Sequence, residues 1–343
     1  MAQTTTKEEK KLGEDKTAAV IGDGGWGTAM AMMLAERGWR VLIWGHDPFY
    51  LDEMNRLREN RLFLPGVKLP LEITFEPSVA RATDAADLIF VAVPTKFLRS
   101  VLEQAPRVAS GKDMVSLTKG IEPHTLLRPS EIIAEILTPK RLAVLSGPSH
   151  AEEVARRLPA SVTVASADSG ALARKVQEEV MTPHFRIYTS DDVIGIELGG
   201  ALKNVIALAA GICIGLGMGD NALAALITRG LAEITRLAVS MGANPRTLAG
   251  LSGMGDLIVT CCSCHSRNRR VGIELGRGRR LKDILAETPQ IAEGVTTARS
   301  VVTLGRRHGV EMPICEQVYN VLYEDKPASQ AAADLLAREG KAE

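Results

Sequence analysis

Short runs of Val, Ile and Leu recur through the first half of the chain, separated by stretches with helical periodicity, and then disappear. The runs are Thr17–Ile21, Arg40–Trp44, Leu88–Val93, Met114–Leu117, Leu142–Leu145 and Ser161–Ala165, with Phe185–Tyr188 closing the series. Their apolar residues are continuous rather than alternating, as expected for strands covered on both faces. Thr28–Arg37, Lys96–Ala105 and Ser130–Leu137 are predicted helices between them. Such alternation predicts an α/β fold with a doubly wound, mostly parallel sheet of Rossmann type. Beyond about Asp191 the strand signal fades. Segments rich in Ala, Leu, Glu and Arg predict helices over Val193–Leu216, Asn221–Met241, Arg269–Arg277, Leu281–Ala286, Thr296–His308, Pro313–Tyr323 and Pro327–Arg338. The expected organisation is a dinucleotide-binding domain over 16–190 and an all-helical domain over 191–343. A polar segment over 1–15 is expected to be a disordered tail.

Composition narrows the classes. Forty-one basic and forty-one acidic residues leave no formal net charge on 343 residues, and aromatics are only 4%. Neither nucleic acid nor an anionic membrane surface is an expected partner of such a chain. The opening residues MAQTTTKEEKKLGED lack a signal peptide's apolar core. Val205–Met218 is the most apolar stretch, but it is short and interrupted by Gly211, Gly215 and Gly217. It predicts a buried helix and no integral membrane association. A cytoplasmic enzyme is expected. Cys261, Cys262, Cys264 and His265 crowd together, and Cys213 and Cys315 lie apart. That spacing fits neither a disulfide framework nor paired zinc ligands, so no metal is expected.

The first strand runs into Gly22-Asp23-Gly24-Gly25-Trp26-Gly27, a G-x-G-x-x-G between strand and helix. Gly22 permits the tight turn, Gly24 admits a pyrophosphate close to the backbone, and Gly27 lets the helix pack on the strand. The N–H groups at the helix start would face the phosphates. A carboxylate at the tip of the second strand would bind the ribose 2′-hydroxyl of NAD. Here the tip reads Gly45-His46-Asp47. With no carboxylate at the tip itself NADPH is admissible, so the cofactor is NAD(H) or NADP(H). Lys119 follows the strand Met114–Leu117, at the sheet edge where such folds bind ligands.

Three further clusters carry candidate chemistry. Lys203 and Asn204 interrupt an otherwise apolar helix, flanked by Ala201, Leu202, Val205 and Ile206. Burial lowers a lysine's pKa toward the range useful for proton transfer. Lys203 is therefore the candidate proton donor to a carbonyl and acceptor from a hydroxyl, with Asn204 placed to hold a substrate hydroxyl or carboxamide. Gly253-Met254-Gly255-Asp256 supplies a carboxylate that is either a helix N-cap or the partner orienting that lysine. Ser266-Arg267-Asn268-Arg269-Arg270 offers a guanidinium beside hydroxyl and amide donors, a set suited to one phosphate monoester.

The chain resembles the bacterial NAD(P)-dependent glycerol-3-phosphate dehydrogenases. The resemblance is carried by GDGGWGTA, LIWGHD, LTKGIE, LSGPSHA, ELGGALKNVIALAAGI, GMGDLIVTC, SRNRRVGIELGRG, AEGVTTA and MPICEQVYNVLYEDKP, in that order from residue 22 to about 327. It implies reversible hydride transfer between NAD(P)H and dihydroxyacetone phosphate, giving sn-glycerol 3-phosphate for phospholipid synthesis, and often a homodimer. Gly25, Trp26 and His46 would contact the dinucleotide, with Ala151, Arg267, Ile291 and Glu293 completing its pocket. Lys119, Gly147 and Ser149 would contact substrate, and Lys119 would also border the cofactor. Lys203 would be the catalytic proton donor and acceptor, assisted by Asp256 and Thr260. Ser266, Arg267 and Asn268 would hold the phosphate. Gly25 stands where the family commonly has serine or alanine, Cys262 where threonine or serine is frequent, and the first fifteen residues have no counterpart. The rivals are a β-hydroxyacid dehydrogenase, which would act on carboxylates, a nicotinamide-sensing protein without turnover, and, more distantly, a nucleic-acid binder.

Overall fold

The computed structural model describes residues 16–105, 111–287 and 292–340. The expected tail over 1–15 and Ile291 lie outside the described residues. Ten strands occur among the described residues: β1 Thr17–Ile21, β2 Arg40–Trp44, β3 Glu59–Asn60, β4 Leu64–Lys68, β5 Ile73–Phe75, β6 Leu88–Val91, β7 Asp113–Ser116, β8 Arg141–Ser146, β9 Ala160–Ser166 and β10 Phe185–Ser190. Eight form one sheet in the order β10-β9-β8-β7-β6-β1-β2-β5, and β3 and β4 pair as a separate ribbon. Neighbours in the large sheet are parallel except β8 and β9. Strand order reverses at β1, flanked by β2 and β6, which opens a crevice at the strands' C-terminal ends. Ala18, Val20, Phe90 and Val115 face one buried layer, and Ala19, Ile21, Ile89 and Met114 face the other. That two-sided burial explains the unbroken apolar runs.

Residues 45–87 depart from the expectation. The structure places helices Pro48–Leu57 and Val79–Ala85 there, the β3–β4 ribbon, and β5 at the sheet edge. Their apolar residues are too few and too interrupted to show a period; β4 contains Pro65 and Gly66. The first helix begins at Gly25, inside the glycine turn, three residues before the expected start. Helix Ala171–Val180 was likewise unanticipated.

The helical half is organised around Val193–Gly215, nineteen of whose residues are buried. It is the one helix among the described residues long and apolar enough to cross a membrane, and it is enclosed by other helices instead. At its start, Glu197 accepts hydrogen bonds from the Ser130 backbone N–H at 2.8 Å, the Ser130 hydroxyl at 2.6 Å and Arg128 at 2.6 Å. This ties the sheet's helix Pro129–Leu137 to the helical half, and burial pushes the Glu197 carboxyl pKa up. Farther along, helix Arg267–Gly276 crosses it backbone to backbone. A Cβ on Gly211 would lie 2.2 Å from the Arg269 carbonyl oxygen, and one on Gly272 2.2 Å from that of Leu208. The glycines that interrupt the apolar stretch are thus the contact points of a tight helix crossing.

Replacing Gly272 by Ala should force these helices apart and cost about 1–3 kcal/mol. Urea unfolding would read the loss; a variant as stable as the parent would show that the crossing tolerates a methyl group.

Candidate active site

A strand, a glycine turn, a π-helical turn and two helices converge above the sheet's C-terminal edge. Lys203 sits in the middle of Val193–Gly215, with 6% of its surface exposed. Its ammonium donates to Asp256 Oδ1 at 2.6 Å and to Thr260 Oγ1 at 2.7 Å. Lys119, just past β7, donates to Asp256 Oδ2 at 2.7 Å and to the Gly147 carbonyl at 3.2 Å. One buried carboxylate therefore binds two ammonium groups, one on each oxygen. Burial pushes the Lys203 pKa down to about 8; Asp256 opposes the shift and Lys119 adds to it.

Local structure explains how these groups meet. Leu251–Gly255 winds as a π-helical turn leading into helix Asp256–Cys262. A Cβ on Gly253 would lie 2.0 Å from the Leu248 carbonyl oxygen, so only glycine permits this winding. The N-cap position belongs to Gly255, which leaves the Asp256 side chain free to turn toward the lysines. Thr260, one turn on, donates back to the Asp256 carbonyl at 2.6 Å while accepting from Lys203. Opposite, a Cβ on Gly200 would lie 2.5 Å from Ser146 Oγ and 3.6 Å from the Lys119 stem. Gly200 thus lets the long helix close on Ser146, and Gly199 does the same toward the Ser252 carbonyl oxygen, 2.5 Å from where a Cβ would stand.

The remaining sequence candidates fall into two groups around this centre. Gly147 takes φ +147°, its carbonyl accepting from Lys119 and, at 2.9 Å, from the Ser149 hydroxyl. Asn204 Oδ1 accepts from Asn268 Nδ2 at 3.0 Å, and Asn268 Oδ1 accepts from the Gly294 N–H at 2.9 Å. Ser266 is the N-cap of Arg267–Gly276, its hydroxyl accepting from the Arg269 N–H at 3.2 Å. Arg267 opens that helix and is exposed. Burial pushes the Glu293 carboxyl pKa up, against the positive charges of Arg267, Lys119 and Lys203 and the Thr95 backbone.

The glycine turn fits a dinucleotide's pyrophosphate. Gly22 takes φ +123°, where a Cβ would strike the Ala92 carbonyl at 2.7 Å, and a Cβ on Gly27 would lie 2.1 Å from the Gly22 carbonyl oxygen. Space in front of Gly24 is open to 4 Å. Helix Gly25–Glu36 has neither a side-chain cap nor an acidic residue in its first turn, so its N-terminal N–H groups face an anion site uncontested. Gly25 is glycine because the Phe63 carbonyl oxygen comes within 2.6 Å of where a Cβ would stand, and Ala151 flanks it at 3.4 Å. The Trp26 ring packs toward Phe185, with centroids 6.1 Å apart, so its backbone is the part presented at the helix start. His46 is exposed at the tip of β2.

Several residues at the site carry no sequence signal of their own. His150 stacks near His265, ring centroids 5.7 Å apart, with its Nε2 buried and unpartnered among the described residues. Burial, followed by the Lys203 charge, pushes the His150 pKa down. Thr95 donates to the Lys119 carbonyl at 3.1 Å, and Asp23 carries a buried, unpartnered Oδ2. None stands in a spacing that marks chemistry. Cys261 is buried, and Cys262 and Cys264 are exposed.

A doubly wound sheet with a glycine turn shaped for pyrophosphate, facing a buried lysine on a helical bundle, defines a nicotinamide-dependent dehydrogenase. Family models described as the N-terminus and the C-terminus of NAD-dependent glycerol-3-phosphate dehydrogenase match residues 17–172 and 192–333. The chain is 51% identical to glycerol-3-phosphate dehydrogenase [NAD(P)+] of Geobacter sp. (strain M21), over 95% of this chain and 98% of that one. It is 49% identical to the protein of the same name from Bacillus velezensis, over 94% of each. The crystal structure of glycerol-3-phosphate dehydrogenase from Coxiella burnetii superposes with a TM-score of 0.90 at 37% identity, covering 94% of this chain and 99% of that one. The chain belongs to the NAD-dependent glycerol-3-phosphate dehydrogenase family.

Replacing Asp256 by Asn should leave the buried Lys203 ammonium and the half-buried Lys119 ammonium without a counter-charge, a loss of about 3–5 kcal/mol for a buried pair. Chemical unfolding would measure it, and wild-type stability would mean that the lysines do not need the carboxylate as a counter-charge.

Proposed function

We propose that the protein is an NAD(P)-dependent sn-glycerol-3-phosphate dehydrogenase, reversibly reducing dihydroxyacetone phosphate to sn-glycerol 3-phosphate for phospholipid synthesis. The observation that carries this reading is the Lys203 ammonium, buried on Asp256 and Thr260. The nicotinamide cofactor, when bound, supplies or accepts the hydride. Lys203 handles the proton. Two of its three donors are engaged, which leaves the third for the substrate's C2 oxygen. In reduction it gives a proton to that oxygen; in oxidation it takes the hydroxyl proton. Asp256 orients the ammonium and keeps its pKa from falling further. Lys119, on the other carboxylate oxygen, adds a second positive charge that stabilises the oxygen as it gains negative charge.

The phosphate falls to the start of helix Arg267–Gly276. Ser266 already caps the Arg269 N–H, so it would reach the phosphate by donating its own hydroxyl proton. Arg267 supplies the charge, while Asn268 uses its side chain to hold Asn204 and Gly294 in place. Its contribution to phosphate binding would come through its remaining amide hydrogen and backbone N–H. Gly147 and Ser149 border the substrate carbons, and Asn204 offers its amide to a hydroxyl. Gly22, Gly24, Gly25, Trp26, Gly27, His46, Ala151 and Glu293 surround the dinucleotide. The division between dinucleotide-binding and catalytic domains at residues 190/191, a homodimer and a cytoplasmic location belong to the same proposal, supported by family likeness.

Absorbance at the nicotinamide band, with dihydroxyacetone phosphate and NADH or NADPH, tests the reaction; folded protein that oxidises neither would remove the assignment. With Lys203 depressed to about 8, reduction should need its protonated form and decline as pH rises through about 8. Oxidation should need the neutral amine and rise over the same range. Lys203→Ala should abolish both limbs while leaving cofactor binding intact; matching pH profiles in the two directions would rule the lysine out. Arg267→Ala should raise KM about 10- to 100-fold with less change in kcat, since it removes a charge-assisted contact of about 1.5–3 kcal/mol. Steady-state kinetics would show the split.

A further inference from the structure

Glu197 is a buried carboxylate outside the charge cluster, and its hydrogen bonds run to one short segment. Arg128 and Ser130, which donate them, stand at the start of helix Pro129–Leu137, where the stretch leaving β7 ends. That stretch, residues 117–128, carries Lys119 and is fixed in short steps. The Thr118 hydroxyl donates to the Val93 carbonyl at 2.9 Å, and the Lys119 carbonyl accepts from Thr95 at 3.1 Å. The Glu122 N–H donates to the Leu127 carbonyl and the Leu126 N–H to the Glu122 carbonyl, both at 3.0 Å, so the chain doubles back on itself. Leu126 takes φ +63°, a left-handed conformation unfavourable for a bulky side chain, and is buried with Ile121 in the core of the helical half. The turn is held closed from outside by Glu197, through Arg128 next to Leu127. Glu197 itself stands one helical turn before Gly200, where the Lys119 stem lies 3.6 Å from the place of a Cβ. The same helix carries Lys203. One carboxylate thus fastens the loop of one lysine to the helix of the other.

We propose that Glu197 is a positioning residue for the reaction: by holding Arg128 and Ser130, it seats the loop that delivers Lys119 to the second oxygen of Asp256. The inference rests on the reading of Lys203 as the proton-transfer group and deepens it. Asp256 binds Lys203 through Oδ1 and Lys119 through Oδ2. With the loop released, the Lys119 ammonium withdraws and the substrate oxygen loses a positive charge beside it as it turns negative. Asp256 then serves Lys203 alone. Both changes raise the Lys203 pKa, since Asp256 raises it and Lys119 lowers it. Lys203 is faced by Asp256 and Cys261 on one helix, by Lys119 after β7, by His150 after β8, and by Glu293 at the start of helix Glu293–His308. Of these groups, Lys119 alone belongs to the stretch that Glu197 holds. Glu197 is faced by Arg128, Ser130 and Glu131.

The test is a double-mutant cycle on the full chain with Glu197→Gln and Lys119→Met, read as kcat and as the pH midpoint of dihydroxyacetone phosphate reduction. Glu197→Gln keeps the shape and an acceptor for the Ser130 N–H but gives up the charge that holds Arg128. It should lower kcat about tenfold or more and move the midpoint upward from about 8. NADH binding, followed by nicotinamide fluorescence, should change less than about twofold. Lys119→Met should act in the same direction by removing the charge itself, and the double variant should be no slower than Lys119→Met. Losses that multiply in the double variant would show Glu197 acting on the fold at large. Parent kcat and midpoint in Glu197→Gln would show that it has no part in the reaction. Either result overturns the inference and leaves Lys203 in place, whereas turnover by Lys203→Ala removes the underlying reading independently. Should Glu197→Gln fail to fold, Ser130→Ala, which deletes one hydroxyl donor, enters the same cycle. Its midpoint should rise by a smaller amount, and an unmoved midpoint overturns the inference.

Discussion

Everything at the centre of this protein depends on Asp256 holding two ammonium groups. Two lysines and one carboxylate leave a net positive charge in a site largely closed to water. Such a charge is costly to bury. It is useful where an oxygen becomes negative during reaction, because the stabilising groups are already in place. The linkage has a definite sign. Lys203 titrates near 8 in the folded chain and at 10.5 as a free side chain, so the unfolded chain binds that proton more tightly between those values. Its contribution to stability therefore rises with pH across that window and is least favourable at and below pH 8. The site is strained electrostatically under the conditions in which a protonated lysine is needed.

The geometry that permits this charge cluster comes from backbone more than from side chains. Gly211 and Gly272 let two helices touch main chain to main chain, and the same crossing sets Asn204 against Asn268. Gly253 allows the π-helical turn that aims Asp256, and Gly200 lets the long helix pack against Ser146. Lys119 comes from the sheet, Lys203 from the bundle, and Glu197 fastens the two through Arg128 and Ser130. A substitution at any of these glycines would act on the active site without removing a single functional group.

The sheet was legible because two-sided burial writes each strand as a continuous apolar run, as in β1 and β6. The region 45–87 was not, since β3 and β4 form a short ribbon set by the turn they enclose, and β5 is a three-residue edge strand paired in parallel with β2. Lys203 announced itself as a charge inside an apolar helix. Asp256 left two readings open, because cap and counter-ion share one sequence context and only the course of the π-helical turn decides between them. His150 and Thr95 had no such contrast, as polar residues following a strand are commonplace in this fold. Asn268 shows a further limit: its place beside Arg267 suggested a phosphate ligand, and its amide proves to be spent largely on Asn204 and Gly294.

The second strand's tip carries the same lesson further. Along the chain, Gly45-His46-Asp47 reads as a tip without an acid, which admits either cofactor. In space, Gly45 is small because the Asp23 side chain lies against it, 2.5 Å from where a Cβ would stand. Asp23 from the glycine turn fills that place with its Oδ2 buried, while Asp47 caps the next helix. The space at a strand tip is thus shared by two strands, and the residue of one is chosen by the side chain of the other. Reading one strand alone therefore misses why the tip is glycine.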